Sequence, residues 1–371
     1  MKREASGAPS IPYTNILLVQ LGDIGDVVLT TPTIRAVKEA YPSARVSILV
    51  RKHFGGMLLA DPNLHEIVEF EKARGSLLRV VTCTLSCLRQ LRQRRYDLVV
   101  DLRTGDRGAI LSFFTGAAER VGRKGRGKQF WHDFLFTKVI SNTPYGPPHL
   151  HPGADQSLRI VREIGIDTEN SLPRLYISPH DHGHALGLLA EGGVTPATRW
   201  VTINPFSRWH YKEWSSEKWG EVIDWLWAKH RITTVLIGSQ EEETAAAGIV
   251  RGREGYTITM AGKTTLGELA AIISQSSLHL GVDSAAPHIA AALGTPTVTI
   301  HGPSDWRSWR LADAMHRIIC PALACVPCRR MGCEDSRQSK CLDELEVQTV
   351  TAAIAKVVSS GSFTFRDTIG G

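Results

Sequence analysis

Strand-length apolar runs alternate with helix-length amphipathic segments along nearly the whole of this 371-residue chain. That alternation points to α/β domains on parallel sheets, because each crossover between parallel strands needs a long connection, usually a helix. "NILLVQL", from Asn15, precedes a helix expected from about Thr31 to Ala40; "RVSILVR" follows, then a helix over Gly75 to Arg95, "YDLVVDLR" and a helix over Arg107 to Phe114. Pro147 and Pro148 break the chain before a helix beginning near Ala154. Composition resets at "NSLPRLYISP", and a second series opens with "WVTINPF" and a helix through "SSEKWGEVIDWLWAKH". It continues with "TTVLIG", a helix from about Glu241, "TITM", a helix through "TLGELAAIISQ", "SLHLGV", the helix "SAAPHIAAALG" and the strand "TPTVTIHG".

The length exceeds the roughly 100–200 residues of one domain, so two are expected. The pattern divides the chain into an N-terminal tail (1–14), a first domain (15–175), a second domain (176–342) with a cysteine-rich segment at 320–341, a helix at 343–358 and a tail at 359–371. Open α/β sheets bind ligands at the carboxyl ends of their strands. Two such sheets are therefore expected to face each other across a shared crevice.

A hydrophobic fraction of 43% with 22% charged residues excludes a disordered or membrane-embedded chain. No apolar run approaches the roughly 20 residues that cross a bilayer. "MKREASGAPSIPYT" lacks the apolar segment of an export signal, so a cytoplasmic location is expected. The net charge of +6 and pI of about 9.0 suggest an anionic partner. Basic residues gather at Arg89, Arg92, Arg94 and Arg95, and again in "RVGRKGRGKQFWH", where Arg120, Arg123, Lys124, Arg126 and Lys128 lie beside Phe130 and Trp131. The glycine spacing of this second cluster predicts a surface loop suited to phosphate contact.

Two stretches carry chemistry. In "LGDIGDVVL", Asp23 and Asp26 follow a strand at a place where the amides of the next helix favour negative charge. A carboxylate there can take a proton from an attacking hydroxyl; Asp23 reads as an exposed turn or cap residue. In "GVDSAAPHIAAALGTPTVTIHGPSDW", the strand ends at Val282, Asp283 and Ser284 offer N-cap chemistry, and small residues let a ligand approach the helix start. His288 falls four residues after Ser284, on the same helical face. In "NPFSRWHYKEW", Lys212 on its own reads as a solvated surface lysine.

These residues resemble glycosyltransferase family 9, the heptosyltransferases of lipopolysaccharide core assembly. "LGDIGDVVLTTPTIRAV" resembles the family's N-terminal motif. Asp283-Ser284, Pro287-His288, Ala290-Ala291-Ala292, Gly294-Thr295-Pro296 and Gly302-Pro303-Ser304 resemble its donor-site signature. The likeness runs over about residues 15 to 358. It implies a GT-B fold of two Rossmann-like domains, an ADP-heptose donor, inversion at the anomeric carbon and no catalytic metal. By the same resemblance Asp26 is the base and Lys212 neutralises the leaving diphosphate. Gly25, Ser207, Arg208, Gly238, Glu242, Met260, Gly262, Asp283, Ser284, Ala285 and His288 then bind the donor. An acceptor of lipid A, Kdo and heptose carries phosphates and carboxylates, for which Arg103, Arg107, Arg120, Arg123, Lys124 and Arg126 are the expected contacts. Peripheral attachment to the cytoplasmic face of the inner membrane, a monomeric state and no nucleic-acid partner complete the expectation.

Cys325-x2-Cys328-x4-Cys333-x7-Cys341 has spacing that suits a structural zinc or an iron–sulfur cluster, or else a set of reduced thiols. The transfer chemistry needs none of these. Cys83, Cys87 and Cys320 read as buried small apolar residues. Two other classes fit less well. A nucleotide-dependent oxidoreductase would need the third glycine that "LGDIGD" lacks and an acidic residue where "RVSILVRK" ends in basic ones. A non-catalytic anion-binding or nucleic-acid module would leave the Asp283 helix start without a purpose.

Overall fold

The computed structural model describes residues 13–71, 76–125, 131–141, 151–309 and 315–359. Most of both expected tails, the Pro147–Pro148 break, and Arg126, Lys128 and Phe130 of the second basic cluster lie outside these residues. The chain divides into two compact units, with the boundary between Tyr176 and Ile177.

The first unit carries β1 (Asn15–Gln20), α1 (Ile24–Leu29), α2 (Thr31–Ala40), β2 (Arg45–Arg51), β3 (Glu66–Phe70), α3 (Leu77–Gln93), β4 (Leu98–Asp101), α4 (Asp106–Phe114), β5 (Glu119–Arg123), β6 (Lys138–Ile140) and α5 (Pro152–Arg162). All pairings are parallel, and the sheet order is β3-β2-β1-β4-β5-β6. Central strands buried on both faces need unbroken apolar sequence. Ile16, Leu17, Leu18 and Val19 of β1 and Leu98, Val99 and Val100 of β4 meet that demand with no exposed surface.

The second unit carries α6 (Pro179–Glu191), β7 (Trp200–Asn204), α7 (Ser216–His230), β8 (Thr233–Leu236), α8 (Glu243–Val250), β9 (Thr257–Thr259), α9 (Leu266–Gln275), β10 (His279–Val282), α10 (Ala286–Ala292), β11 (Thr297–Ile300), α11 (Trp306–Trp309), β12 (His316–Ile319), α12 (Lys340–Asp343) and α13 (Val347–Ser359). Its parallel sheet runs β12-β11-β10-β7-β8-β9. Counted from its own first strand, this is the same order as in the first unit. Val350, Ile354 and Val357 of α13 join Trp214, Trp219 and Leu226 in its core.

Several local expectations are corrected. The acidic turn after β1 is itself helical: Asp23 is the N-cap of α1 and Asp26 its third residue, each side chain meeting the other's backbone in a capping box. The "RVGRKG" stretch opens as strand β5, with Arg120 and Arg123 in the sheet instead of in a loop. Cys83, Cys87 and Cys320 are only partly buried. Helix α6, which the sequence pattern did not reveal, starts with Ser178 accepting the amide of Asp181, while Pro179 occupies a first-turn position.

Asp101, ending β4, is fully buried. The Arg103 amide donates to its Oδ1 at 3.0 Å, and its Oδ2 has no hydrogen-bond partner among the described residues. Gly108 of α4 lets the helix pack on this carboxyl, since a Cβ there would lie 2.3 Å from Oδ2. Burial outweighs the Arg103 contacts and pushes the Asp101 pKa up to about 7. The folded chain therefore holds a proton that the unfolded chain releases near pH 4, and stability falls as pH rises from about 4 through 7. Asp101→Asn keeps the accepting oxygen without the titration. Its unfolding free energy in urea titrations is expected to vary less between pH 5 and 8 and to exceed that of the parent at pH 8, by on the order of 1–3 kcal/mol. Parallel pH profiles for the two proteins would contradict this assignment.

Candidate active site

In a sheet of this order the strands on either side of the reversal leave a crevice at their carboxyl ends. The reversal falls between β1 and β4 in the first unit and between β7 and β10 in the second. Each of these points holds an ion pair.

In the first unit Asp26, after β1, meets Arg103, after β4. Arg103 Nη1 donates to Asp26 Oδ1 at 2.8 Å, and the Asp23 amide donates to Oδ2 at 2.8 Å. Each carboxylate oxygen keeps a further lone pair, so Asp26 is oriented but still able to accept a hydroxyl proton. Gly22 explains the glycine after the strand: a Cβ there would stand 2.3 Å from Asp26 Oδ2. The Asp26 side chain is 15% exposed and lines a cavity of about 110 Å³, together with Gln20, Thr30, Arg103, Arg123 and Gln156. Asp23 carries out its cap role and pairs with Arg51 at 3.0 Å.

The basic residues expected at the acceptor separate into groups. Arg103 and Arg123 line the cavity. Arg107 and Lys124 are exposed, with the Arg107 guanidinium over the Phe70 ring. Arg120 is turned to structure, donating to the carbonyls of Leu135 and Ala117 and lying over Phe113. Arg126 lies outside the described residues. Arg94, from the other cluster, is a fork on Glu66.

In the second unit Lys212 Nζ donates to Asp283 Oδ2 at 2.7 Å. Lys212 ends a single 3-10 turn after β7, and Asp283 is the first residue after β10. Asp283 is buried, which alone would raise its carboxyl; the facing His301, the Lys212 ammonium and Ser304 outweigh this and hold the pKa at about 2. Burial pushes His301 down, with Lys212 adding to the effect and Asp283 opposing it. His301 Nδ1 has no hydrogen-bond partner among the described residues. The N-cap expectation for Asp283 is thereby corrected. The cap of the seven-residue α10 is Ala285, which has no capping side chain, and the Asp283 carboxylate serves Lys212 instead.

Other expected donor contacts are distributed around this pair. Ser284 Oγ accepts from Asn204 Nδ2 at 3.2 Å, and Ser207 Oγ donates to the Asp283 carbonyl at 3.3 Å. Arg208 is exposed and lies over Trp209, while His288 is buried in α10. Glu242 accepts the Ser239 amide at 2.6 Å in a capping box, so its carboxylate stabilises the turn that follows Gly238. Met260 is buried with its methyl group near Gly192. Gly262, at φ +73°, closes a turn by donating to the Gly238 carbonyl. Sequence reading missed His301, Asn204, Gln20 and Gln156. His301 becomes visible only through register, since Val282 pairs with Ile300 and the residues one step beyond are neighbours.

The two Rossmann-like units give the chain the GT-B fold. Residues 84–338 match glycosyltransferase family 9 (heptosyltransferase), and the chain belongs to that family. It is 28% identical over 292 residues to lipopolysaccharide heptosyltransferase 3 of Escherichia coli, covering 77% of this chain and 83% of that protein. Among solved structures, a family 9 glycosyltransferase from Veillonella parvula superimposes with a TM-score of 0.79 at 21% identity, over 95% of this chain and 99% of the other. The ADP-heptose LPS heptosyltransferase II of Escherichia coli does so with a TM-score of 0.76 at 18% identity, over 93% and 98%.

Proposed function

We propose that this enzyme transfers a heptosyl residue from ADP-heptose to the inner core of lipopolysaccharide, with inversion at the anomeric carbon and without a catalytic metal. Family membership supports this reading, and one observation carries its mechanism: a carboxylate–guanidinium pair at one switch point and an ammonium–carboxylate pair at the other. Asp26 accepts the proton of the acceptor hydroxyl as that oxygen bonds to the anomeric carbon. The bond from that carbon to the phosphate oxygen breaks, its electron pair stays on ADP, and Lys212 meets the charge that develops there. Asp283 orients Lys212 before the donor arrives. Arg103, Arg123, Arg107 and Lys124 face the phosphates and carboxylates of the acceptor. Gly25, Ser207, Arg208, Gly238, Gly262, Ser284, Ala285 and His288 form or support the donor pocket. Glu242 acts through the turn it caps, and the buried Met260 acts through packing.

Saturating ADP is expected to raise the melting temperature by several degrees, as binding at about 100 times Kd adds about 2.7 kcal/mol. UDP should not. Equal shifts with both nucleotides would remove the adenosine assignment.

Among the described residues no three His, Cys, Asp or Glu side chains converge as ligands to an ion, and no catalytic step is routed through one. Cys325, Cys328 and Cys333 nevertheless lie near enough to Cys341 to add to the burial that pushes its thiol up to about 11. In this reading the four thiols form a structural clamp that a zinc ion or an iron–sulfur cluster would draw together. Dialysis against a strong chelator is then expected to lower stability and to raise the reactivity of the four thiols, with little change in the kcat of the surviving fold. Unchanged thiol reactivity would rule out the clamp. The enzyme acts as a monomer, at the cytoplasmic face of the inner membrane; among the described residues no helix is long and apolar enough to cross it.

A further inference from the structure

A soluble fold seldom exposes several large apolar side chains on one small area without a partner for them. In the first unit Ile110, Phe113 and Phe114 of α4 are 39%, 44% and 46% exposed. Their spacing of three and four residues puts them on one helical face. The 3-10 turn Asp133–Leu135 packs against α4 and presents Phe134, at 78% the most exposed large apolar side chain described. Arg120 joins the two elements. Its guanidinium lies over the Phe113 ring, 5.6 Å from the centroid, while its Nε donates to the Leu135 carbonyl at 2.9 Å. Nothing in the Asp26 chemistry uses these aromatic rings, yet a half-buried cation–carbonyl contact ties the two elements together.

The rim of this patch is cationic on balance, with Arg107, Arg120 and Lys124 against the carboxylates of Asp106 and Asp133. Arg107 begins the stripe that continues through Ile110 and Phe114, and Lys124 is exposed at the end of β5. The nearest carboxylate of the 3-10 turn, Asp133, is occupied by the Gly125 amide and His132. Aromatic rings projecting from a short helix and a turn, with arginine and lysine in excess of carboxylates at their margin, match the boundary between acyl chains and anionic headgroups.

We propose that Ile110, Phe113, Phe114 and Phe134, with Arg107 and Lys124, form the surface by which this protein docks on an anionic lipid bilayer. The inference deepens the proposed function, whose acceptor is lipid-anchored, and assigns the contact to named side chains. Hydrophobic insertion sets the residence on the membrane, and the cations set its preference for anionic lipid.

The test uses sedimentation of the full chain with vesicles free of lipopolysaccharide, made of phosphatidylcholine alone or with phosphatidylglycerol. The expected result is binding to the anionic vesicles that weakens with salt, with little binding to the neutral ones. Phe114→Ser with Phe134→Ser should lower partitioning at least about tenfold. Both positions are exposed, so ADP should still raise the melting temperature of the variant as it does that of the parent, and transfer to a soluble, deacylated core should be unchanged. Equal partitioning of variant and parent would overturn the proposal. So would a patch whose loss alters only the sedimentation mass, which would make a second copy of this chain its occupant. Because the vesicles lack acceptor, failure of the transfer reaction leaves the vesicle result standing, and the two readings fail separately.

Discussion

Asp26→Asn is expected to reduce turnover by about two to four orders of magnitude, the range of a general base, while ADP continues to raise the melting temperature as in the parent. Asparagine keeps one oxygen for Arg103 and occupies the same volume beside Gly22, while its amide nitrogen cannot accept the Asp23 N–H, so one capping contact, about 1 kcal/mol, is lost together with the proton acceptor. A loss of kcat at constant donor affinity identifies an interaction made in the transition state. A variant that kept most of its turnover would remove Asp26 from the chemistry. A variant that lost ADP binding as well would mark it as a donor ligand.

Lys212→Ala is expected to have nearly as large an effect and a different signature. Removing a cation that meets developing charge costs about 10²–10³ in kcat by analogy with other transition-state donors, and here the ADP affinity should fall with it. The substitution also strands Asp283, whose side chain is only 8% exposed, without its partner at 2.7 Å. Breaking a buried pair in this way destabilises by about 3–5 kcal/mol. Adding Asp283→Asn removes the stranded charge, so the double variant should recover much of the stability and little of the activity. Recovery of both would make the pair structural. Activity unchanged by Lys212→Ala would remove the lysine from the leaving-group site.

Much of the architecture could be read from periodicity because the central strands are buried on both faces. Arg45–Arg51 and Thr31–Ala40 stand out by pattern alone. The sheet margins could not be read this way. The edge strands β6 and β12 and the next-to-edge strand β5 are three to five residues long, and "ERVGR" carries two arginines and a glycine that mimic a loop. Helix α6 was hidden by three histidines and two glycines in "PHDHGHALG", which dilute any apolar stripe.

The site divides along similar lines. Asp26 and Asp283 attract attention because each is a carboxylate following a buried strand, whereas Lys212 stands out only through the family resemblance. Neither pairing shows in the sequence. Arg103 lies 77 positions from Asp26, and Lys212 lies 71 positions from Asp283, so only the strand order brings each pair together. The same reasoning explains why the hold of Arg103 on the base could not be read in addition to its expected acceptor contact, and why Asp283 read as a cap. A carboxylate ahead of a helix has cap chemistry by sequence, and only the presence of Lys212 at the neighbouring strand end redirects it.

The most direct measurement combines the purified enzyme with ADP-heptose and a panel of truncated lipopolysaccharide cores, followed by the mass of each product and the configuration of its new linkage. The account predicts that one core gains a single heptosyl unit, inverted at the anomeric carbon, with one ADP released per transfer. Release of ADP without any core gaining mass, or a product that retains the donor's anomeric configuration, would contradict it.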